Sequence, residues 1–357
     1  DIKKNIISYP YLEKYIEILK NNITLHFFVK AFKHINDKPY LDFFINRENM
    51  PLLLEFENKG KSCIGECIYL IKEVGNGYGF FAEFHTMLQK LIFAECFHLK
   101  PYVYWGENFL YYEEQMREKQ NAYEYLFEPI NQELADKIST ADLITESKMG
   151  QAGWIEERYE RGYDLSFQYL DKAADVYKRY IRLKPEVGVK IKQEITRIKK
   201  SKKTLAVHYR GTDFKMNYDN HPVCVTLEQE IEVIKKAMNT ESFEQVFLAT
   251  DDMSAIDTFR SCLGEKVVFY QDVQRGSDTI SVAFSESSRE RHHYLLAYEV
   301  LRDMLTLSAC EGLIAGVSQV SICARIAKAS RGETYQYLQI IDNGKNYNNK
   351  KFKAVRK

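Results

Sequence analysis

The sequence predicts an α/β protein of two domains, with parallel sheets covered by helices on both faces. Three observations carry that expectation. Short apolar runs alternate with helical segments through the C-terminal half, a strand–glycine loop–helix–strand unit stands in the N-terminal half, and 357 residues exceed one ordinary domain. Such alternation implies right-handed crossovers between parallel strands.

The N-terminal half gives one clear unit. Residues 66–74 read as a strand, Gly75-Asn76-Gly77-Tyr78-Gly79 breaks it, 80–99 form a long amphipathic helix and 101–105 a second strand. Residues 1–60 mix helical and strand-like patterns. The stretch 159–203 is helical and charged, with Tyr177, Tyr180 and Ile181 recurring on one side. Its basic end, Lys199-Lys200-Ser201-Lys202-Lys203, fits a solvated helix terminus and linker better than a nucleic-acid patch. The domain boundary is expected there, with residues 1–195 as an α/β domain ending in a helical linker and 196–357 as a second, Rossmann-like domain.

The C-terminal half is more regular. Residues 204–209 form an apolar strand, and 227–238 carry Ile231, Ile234 and Ala237 at helical spacing. A strand over 246–249 runs into Thr250-Asp251-Asp252, followed by a short helix over 254–262 and a strand over 266–270. A longer helix over 294–307 places Leu295, Tyr298, Leu301 and Leu305 on one face. Residues 313–315 form the next strand, 318–329 a helix and 337–341 the last strand.

Composition excludes several classes. Lys and Arg number 50, as do Asp and Glu, so no net field favours nucleic acid or an anionic membrane. Seven cysteines without paired spacing fit reduced thiols and a cytoplasmic location. Cys63 and Cys67 have no second pair to complete a zinc site, and no apolar run is long enough to span a bilayer. The sequence has no G-x-x-x-x-G-K-[ST] phosphate loop, no H-E-x-x-H and no G-x-S-x-G elbow.

In an open parallel sheet, ligands bind beyond the C-terminal ends of the strands, where strand order reverses. Three polar clusters fall at such ends: His208–Asp213, Thr250–Asp252 and Gly316–Ser321. Arg210 can fork onto two phosphate oxygens or form a salt bridge with Asp213 or Asp251. Ser318, Gln319 and Val320 open a helix whose free N–H groups favour an anion, although a serine cap alone would look the same. Asp303 can accept hydrogen bonds from a purine edge or simply face solvent. Gly75, Gly77 and Gly79 allow close backbone approach, without the G-x-G-x-x-G spacing of a dinucleotide site. Asp213, Asp219 and His221 are candidates for a general base.

These motifs together resemble the fucosyltransferase superfamily of α-1,6-fucosyltransferases, the rhizobial nodulation fucosyltransferase and the protein O-fucosyltransferases. The likeness rests on the H-x-R-x-T-D core of His208–Asp213 through His221-Pro222, on Phe247-Leu248-Ala249-Thr250-Asp251-Asp252, and on Asp303 to Ala327 with its Ser318-Gln319-Val320 helix start. The resemblance implies a GT-B fold, in which two Rossmann-like doubly wound domains face a cleft. It implies inverting, metal-independent transfer from GDP-β-L-fucose, without a cofactor. Arg210 would then hold the donor diphosphate, Ser318, Gln319 and Val320 would contact the same phosphates, and His208 and Asp303 would face the guanine. Asp251 or Asp252 would line the site, and Asp219 or Asp213 would be the base. The acceptor side would come from the N-terminal domain.

The chain departs from the α-1,6 pattern in three places. Gly211 stands where those enzymes have a second arginine, Phe214 where they have a lysine unless Lys215 takes that place, and Ile322 where they carry an arginine, with Arg325 a turn later. The expected activity is transfer of fucose to a hydroxyl of a surface glycan or its lipid-linked precursor. Membrane contact would be peripheral, through that acceptor. The alternatives are another nucleotide-sugar donor on the same fold, or a catalytically silent module that binds glycan or nucleotide. A nucleotide-sugar epimerase or dehydrogenase is disfavoured by the glycine spacing.

Overall fold

The structure is a computed structural model that describes residues 54, 56–75, 77–116, 121–153, 159–161, 164–276, 281–284 and 287–351. Most of the stretch 1–60 expected to mix helix and strand, and Asn76 of the glycine loop, lie outside them. The chain divides into two compact units. One comprises Asp1–Lys72, Gln89–Tyr104 and Pro129–Trp154, the other Glu73–Leu88, Trp105–Glu128 and Ile155–Lys357.

The first unit holds a three-stranded parallel sheet in the order β2-β1-β3. Strand β1 is Ser62–Lys72, and helix α1, Phe80–Cys96, leads to β2, Lys100–Tyr104. Strand β3 is Ala141–Glu146, followed by the short helix α2, Met149–Gly153. Ile68, Tyr69, Leu70 and Ile71 of β1 are all buried, the continuous apolar run that a central parallel strand requires. The strand ends at Lys72, short of the expected residue 74. The reason lies in the neighbouring unit, where the N–H groups of Val74 and Gly75 donate to the Glu83 carboxylate at 2.8 and 2.7 Å.

The second unit holds the first turns of α1 and, from residue 155 on, opens with an antiparallel pair, β4 (Tyr159–Arg161) and β5 (Asp164–Leu165). Helices α3, Phe167–Tyr180, and α4, Pro185–Lys199, follow. The helical stretch expected over 159–203 is therefore interrupted twice. Ser166 caps α3, and Pro185 at the start of α4 holds Lys184 in extended backbone. The break is stabilised by pairing, because Glu128 N–H donates to Arg182 O and Lys184 N–H to Leu126 O. The expected cut at 195/196 falls inside α4. The basic end of α4 is tied down locally, with Lys199 Nζ bound to Ala309 O and Glu311 and Lys203 Nζ to Glu241 O.

A five-stranded parallel sheet follows, in the order β10-β9-β6-β7-β8. Its strands are β6, Thr204–Tyr209; β7, Gln245–Thr250; β8, Val267–Val268; β9, Gly312–Gly316; and β10, Tyr337–Ile341. The helices are α5, Leu227–Thr240; α6, Met253–Leu263; α7, His292–Ala309; and α8, Gln319–Ala329. Every residue of β6 and β7 is buried. Leu205, Val207, Val246 and Leu248 pack with Ile231, Ile234 and Ala237 of α5 and with Phe259 of α6. Each large aliphatic side chain there contributes about 1.5–3 kcal/mol by leaving water.

Two expectations shift in extent. The strand expected over 266–270 shrinks to two residues. Helix α7 is buried nearly all round, with Leu301, Met304 and Leu307 as its deepest apolar positions, while Leu295 and Leu305 are only partly covered. The chain winds outward from β6 to β7 and β8, then returns to place β9 on the other side of β6. Strand order therefore reverses between β6 and β9, the place where open α/β sheets generally bind their ligands.

Candidate functional site

The turn after β6 is organised by one carboxylate. Asp251, just past the end of β7, accepts from Arg210 Nη1, from the Gly211 N–H at 2.9 Å and from Thr212 Oγ1 at 2.6 Å. Arg210 also bonds through Nη2 to Asp213 Oδ1 at 2.6 Å. The salt-bridge reading of Arg210 thus describes its contacts in this state, with both ends of the guanidinium held. Burial works against its charge, but Asp251 and Asp213 outweigh that cost and raise its pKa above the ordinary value.

Asp252 belongs to the helix that follows. It is fully buried, caps α6 by accepting from Ser254 N, and pairs with Lys215. Burial would raise its pKa, yet the Lys215 and Ser254 hydrogen bonds hold it below the usual range. Gly211 lies against this group. A Cβ there would come within 2.6 Å of Asp252 Cβ and 2.8 Å of Tyr209 Cε1, so no side chain fits where the α-1,6 pattern has arginine.

Across the reversal point, Ser318 caps α8 in a reciprocal box with Ser321 and meets His208 Nδ1 at 3.2 Å. Burial lowers His208 to about 4, with Asp251 opposing and Arg210 reinforcing, so its ring is neutral at pH 7. The cap uses the Ser321 N–H and leaves those of Gln319 and Val320 open among the described residues. Gln319 Oε1 accepts from His85 of α1 at 2.7 Å, and His85 Nε2 meets Tyr169 Oη of α3 at 2.5 Å. Neither His85 nor Tyr169 stands out in the sequence, where both read as core positions of amphipathic helices.

Asp303 lies on α7, which packs on β6 and β7. It is 8% exposed, and among the described residues its buried Oδ1 has no hydrogen-bond partner. Burial raises it to about 7, opposed by Arg275 and Arg302. The solvent-facing alternative for Asp303 is therefore excluded. An unpartnered, buried carboxylate oxygen is costly unless something supplies a donor.

The base candidates separate. Asp219 is tied into a loop with the C-terminal segment: its N–H donates to Lys350 O, its Oδ1 accepts from Asn348 N at 3.0 Å, and its Oδ2 accepts from Asn220 Nδ2 at 2.8 Å. Asp213 sits against Arg210. His221 lies at a tilt to Phe214 and edge-on to Tyr218, and burial lowers its pKa, with Asp213 opposing and Arg210 adding.

In the glycine loop, Gly75 and Gly77 have φ of +72° and +77°, and Gly79 has open space where a Cβ would lie. Glu83 already takes two of the loop's N–H groups. Among the described residues, no cluster of three His, Cys, Asp or Glu is placed to hold a metal, and no helix is long and apolar enough to cross a membrane.

No family model and no curated protein matches the chain. Solved structures give distant likenesses. NodZ alpha-1,6-fucosyltransferase soaked with GDP-fucose is 15% identical, with 73% of this chain and 92% of that one covered and a TM-score of 0.45. Fucosyltransferase NodZ from Bradyrhizobium is 16% identical, with 73% and 92% covered and a TM-score of 0.42. POFUT1 in complex with GDP-fucose is 11% identical, with 79% and 99% covered and a TM-score of 0.43. No residue role follows from likenesses of this size.

Proposed function

We propose that the protein is a glycosyltransferase that takes L-fucose from GDP-fucose and moves it, with inversion, to a hydroxyl of a glycan. The observation that carries this reading is Asp303 of α7, a helix packed on β6 and β7, whose buried oxygen has no partner among the described residues, while the same sheet presents an arginine after β6 and an open helix N-terminus after β9. A guanine offers adjacent N–H donors to such a carboxylate, and the diphosphate suits Arg210 and the N–H groups of Gln319 and Val320.

In this reading the C-terminal edge of the sheet binds the donor, and His208 helps to frame the base. As the sugar–phosphate bond breaks, negative charge grows on the diphosphate. Arg210 and the α8 dipole stabilise that charge. A carboxylate on the acceptor side takes the hydroxyl proton. The geometry favours Asp213 for that step, since both oxygens of Asp219 are engaged in its loop. All seven cysteines are free, which fits a reducing compartment such as the cytoplasm.

A second reading, a silent nucleotide-binding module, draws support from the double engagement of Arg210. Calorimetric titration with GDP, UDP and dTDP, together with a transfer assay using GDP-fucose, separates the two. The enzyme reading expects GDP alone to bind and Arg210→Ala to weaken it by about 1.5–3 kcal/mol, the worth of a charge-assisted contact. GDP binding without transfer or hydrolysis would favour the module. Absence of nucleotide binding would remove both.

A further inference from the structure

We infer that Tyr169 and His85 are positioning residues that turn the Gln319 amide nitrogen toward the ligand at the start of α8. The inference rests on the donor site proposed above and adds residues from α1 and α3 to it. Gln319 Oε1 is a carbonyl oxygen and can only accept, so the His85 Nδ1 that lies 2.7 Å from it must carry the proton. With the imidazole neutral its Nε2 is bare, and the Tyr169 hydroxyl 2.5 Å away donates to it. The chain runs Tyr169 O–H to His85 Nε2, then His85 Nδ1–H to Gln319 Oε1.

Its end point is chemical. With Oε1 fixed on His85, the Gln319 NH₂ group is the free end of the amide, and among the described residues it makes no hydrogen bond. Gln319 is the first residue of α8, beside the open N–H groups of Gln319 and Val320. The relay therefore presents donors only, at a helix end whose dipole already favours negative charge. If the amide turned over, it would present a carbonyl oxygen to the phosphates. His85 is 2% exposed and Tyr169 1%, so neither touches the ligand directly.

Two measurements test this. In ligand-free protein labelled with ¹⁵N-histidine, His85 is expected to show a protonated Nδ1 and a bare Nε2. The opposite tautomer overturns the inference without any nucleotide. Second, titrations of GDP and of guanosine compare wild type, Tyr169→Phe, Gln319→Ala and the double variant. Tyr169→Phe is expected to weaken GDP by about three- to tenfold, the scale of one hydrogen bond, and to leave guanosine unchanged. That loss should vanish in the Gln319→Ala background, because the relay acts only through Gln319. Equal losses for GDP and guanosine, additive losses, or GDP affinity within about twofold of wild type sink the relay and leave the donor site standing. Failure of the wild type to bind GDP sinks both.

Discussion

The guanidinium of Arg210 rests on Asp213 at 2.6 Å while its other end is held by Asp251. The two carboxylates are not equivalent, because Asp251 also carries the Gly211 N–H and the Thr212 hydroxyl. Asp251 therefore shapes the turn, and Asp213 is the partner that a diphosphate can displace. Asp213→Asn is expected to tighten GDP about two- to tenfold, since one competing ion pair is gone. If Asp213 is also the base, the same variant loses transfer by about 10²–10⁴. Asp251→Asn should instead weaken GDP and lower the melting temperature. Titration and rate assays on the two variants read these opposite signs, and matching behaviour would count against the assignment.

Asp303 gives a pH signature. With its pKa raised to about 7, it is largely protonated at pH 6 and ionised at pH 8. Only the ionised form offers both oxygens to a base's N–H groups. GDP affinity should rise up to about tenfold between those pH values, and Asp303→Asn should flatten the profile. The stability effect has the opposite sense. The folded state binds the proton more tightly than the unfolded chain, so this stability is fully present below the ordinary carboxylate range. It is lost as pH rises through about 7. Asp303→Asn should therefore match wild type near pH 4 and exceed its stability near pH 8, as denaturant titration at both pH values would show.

Gly211→Ala tests the packing explanation for the missing arginine. The added methyl meets Asp252, which is fixed by its cap and its ion pair, so the turn after β6 must shift. A loss of about 1–3 kcal/mol in stability is expected from such overpacking, along with weaker GDP binding. Unchanged stability in chemical denaturation would show that the turn yields.

Glu230 makes a prediction away from the ligand. It is fully buried in the first turn of α5, both of its oxygens lack partners among the described residues, and burial raises its pKa well above the ordinary value. Replacement by methionine removes a buried polar group of similar length and should stabilise by about 1–3 kcal/mol. The gain should grow as pH rises, because the folded wild type holds a proton that the unfolded chain releases near its usual pKa. Thermal melts from pH 5 to pH 9 check this, and a pH-independent difference would contradict it.

Much of the second unit is legible in the sequence because its strands are short apolar runs with polar residues at both ends. Thr204–Tyr209 and Tyr337–Ile341 stand where the pattern puts them, and Ser318 caps α8 as its hydroxyl suggests. The break before Pro185 is signalled by that proline, yet the surrounding helical spacing of Tyr177 and its neighbours obscures it. The tether of Asp219 to residues 348 and 350 leaves no trace in the pattern, because backbone hydrogen bonds between polar loops carry no apolar periodicity. His85 shares an apolar helix face with core residues, and only its distant partners give it a role. Spacing reveals which residues lie on one element. It does not reveal which carboxylate reaches which arginine.

The Glu83 carboxylate gives the glycine loop a different character from the helix start at Ser318. Its two oxygens receive the N–H groups of Val74 and Gly75, nine and eight residues earlier in the chain. That turn is a self-contained lock, closed by a neighbour in sequence and able to form as soon as α1 does. The start of α8 keeps its first donors unspent. One end is finished when the chain folds, and the other keeps N–H groups that water or an anion can take.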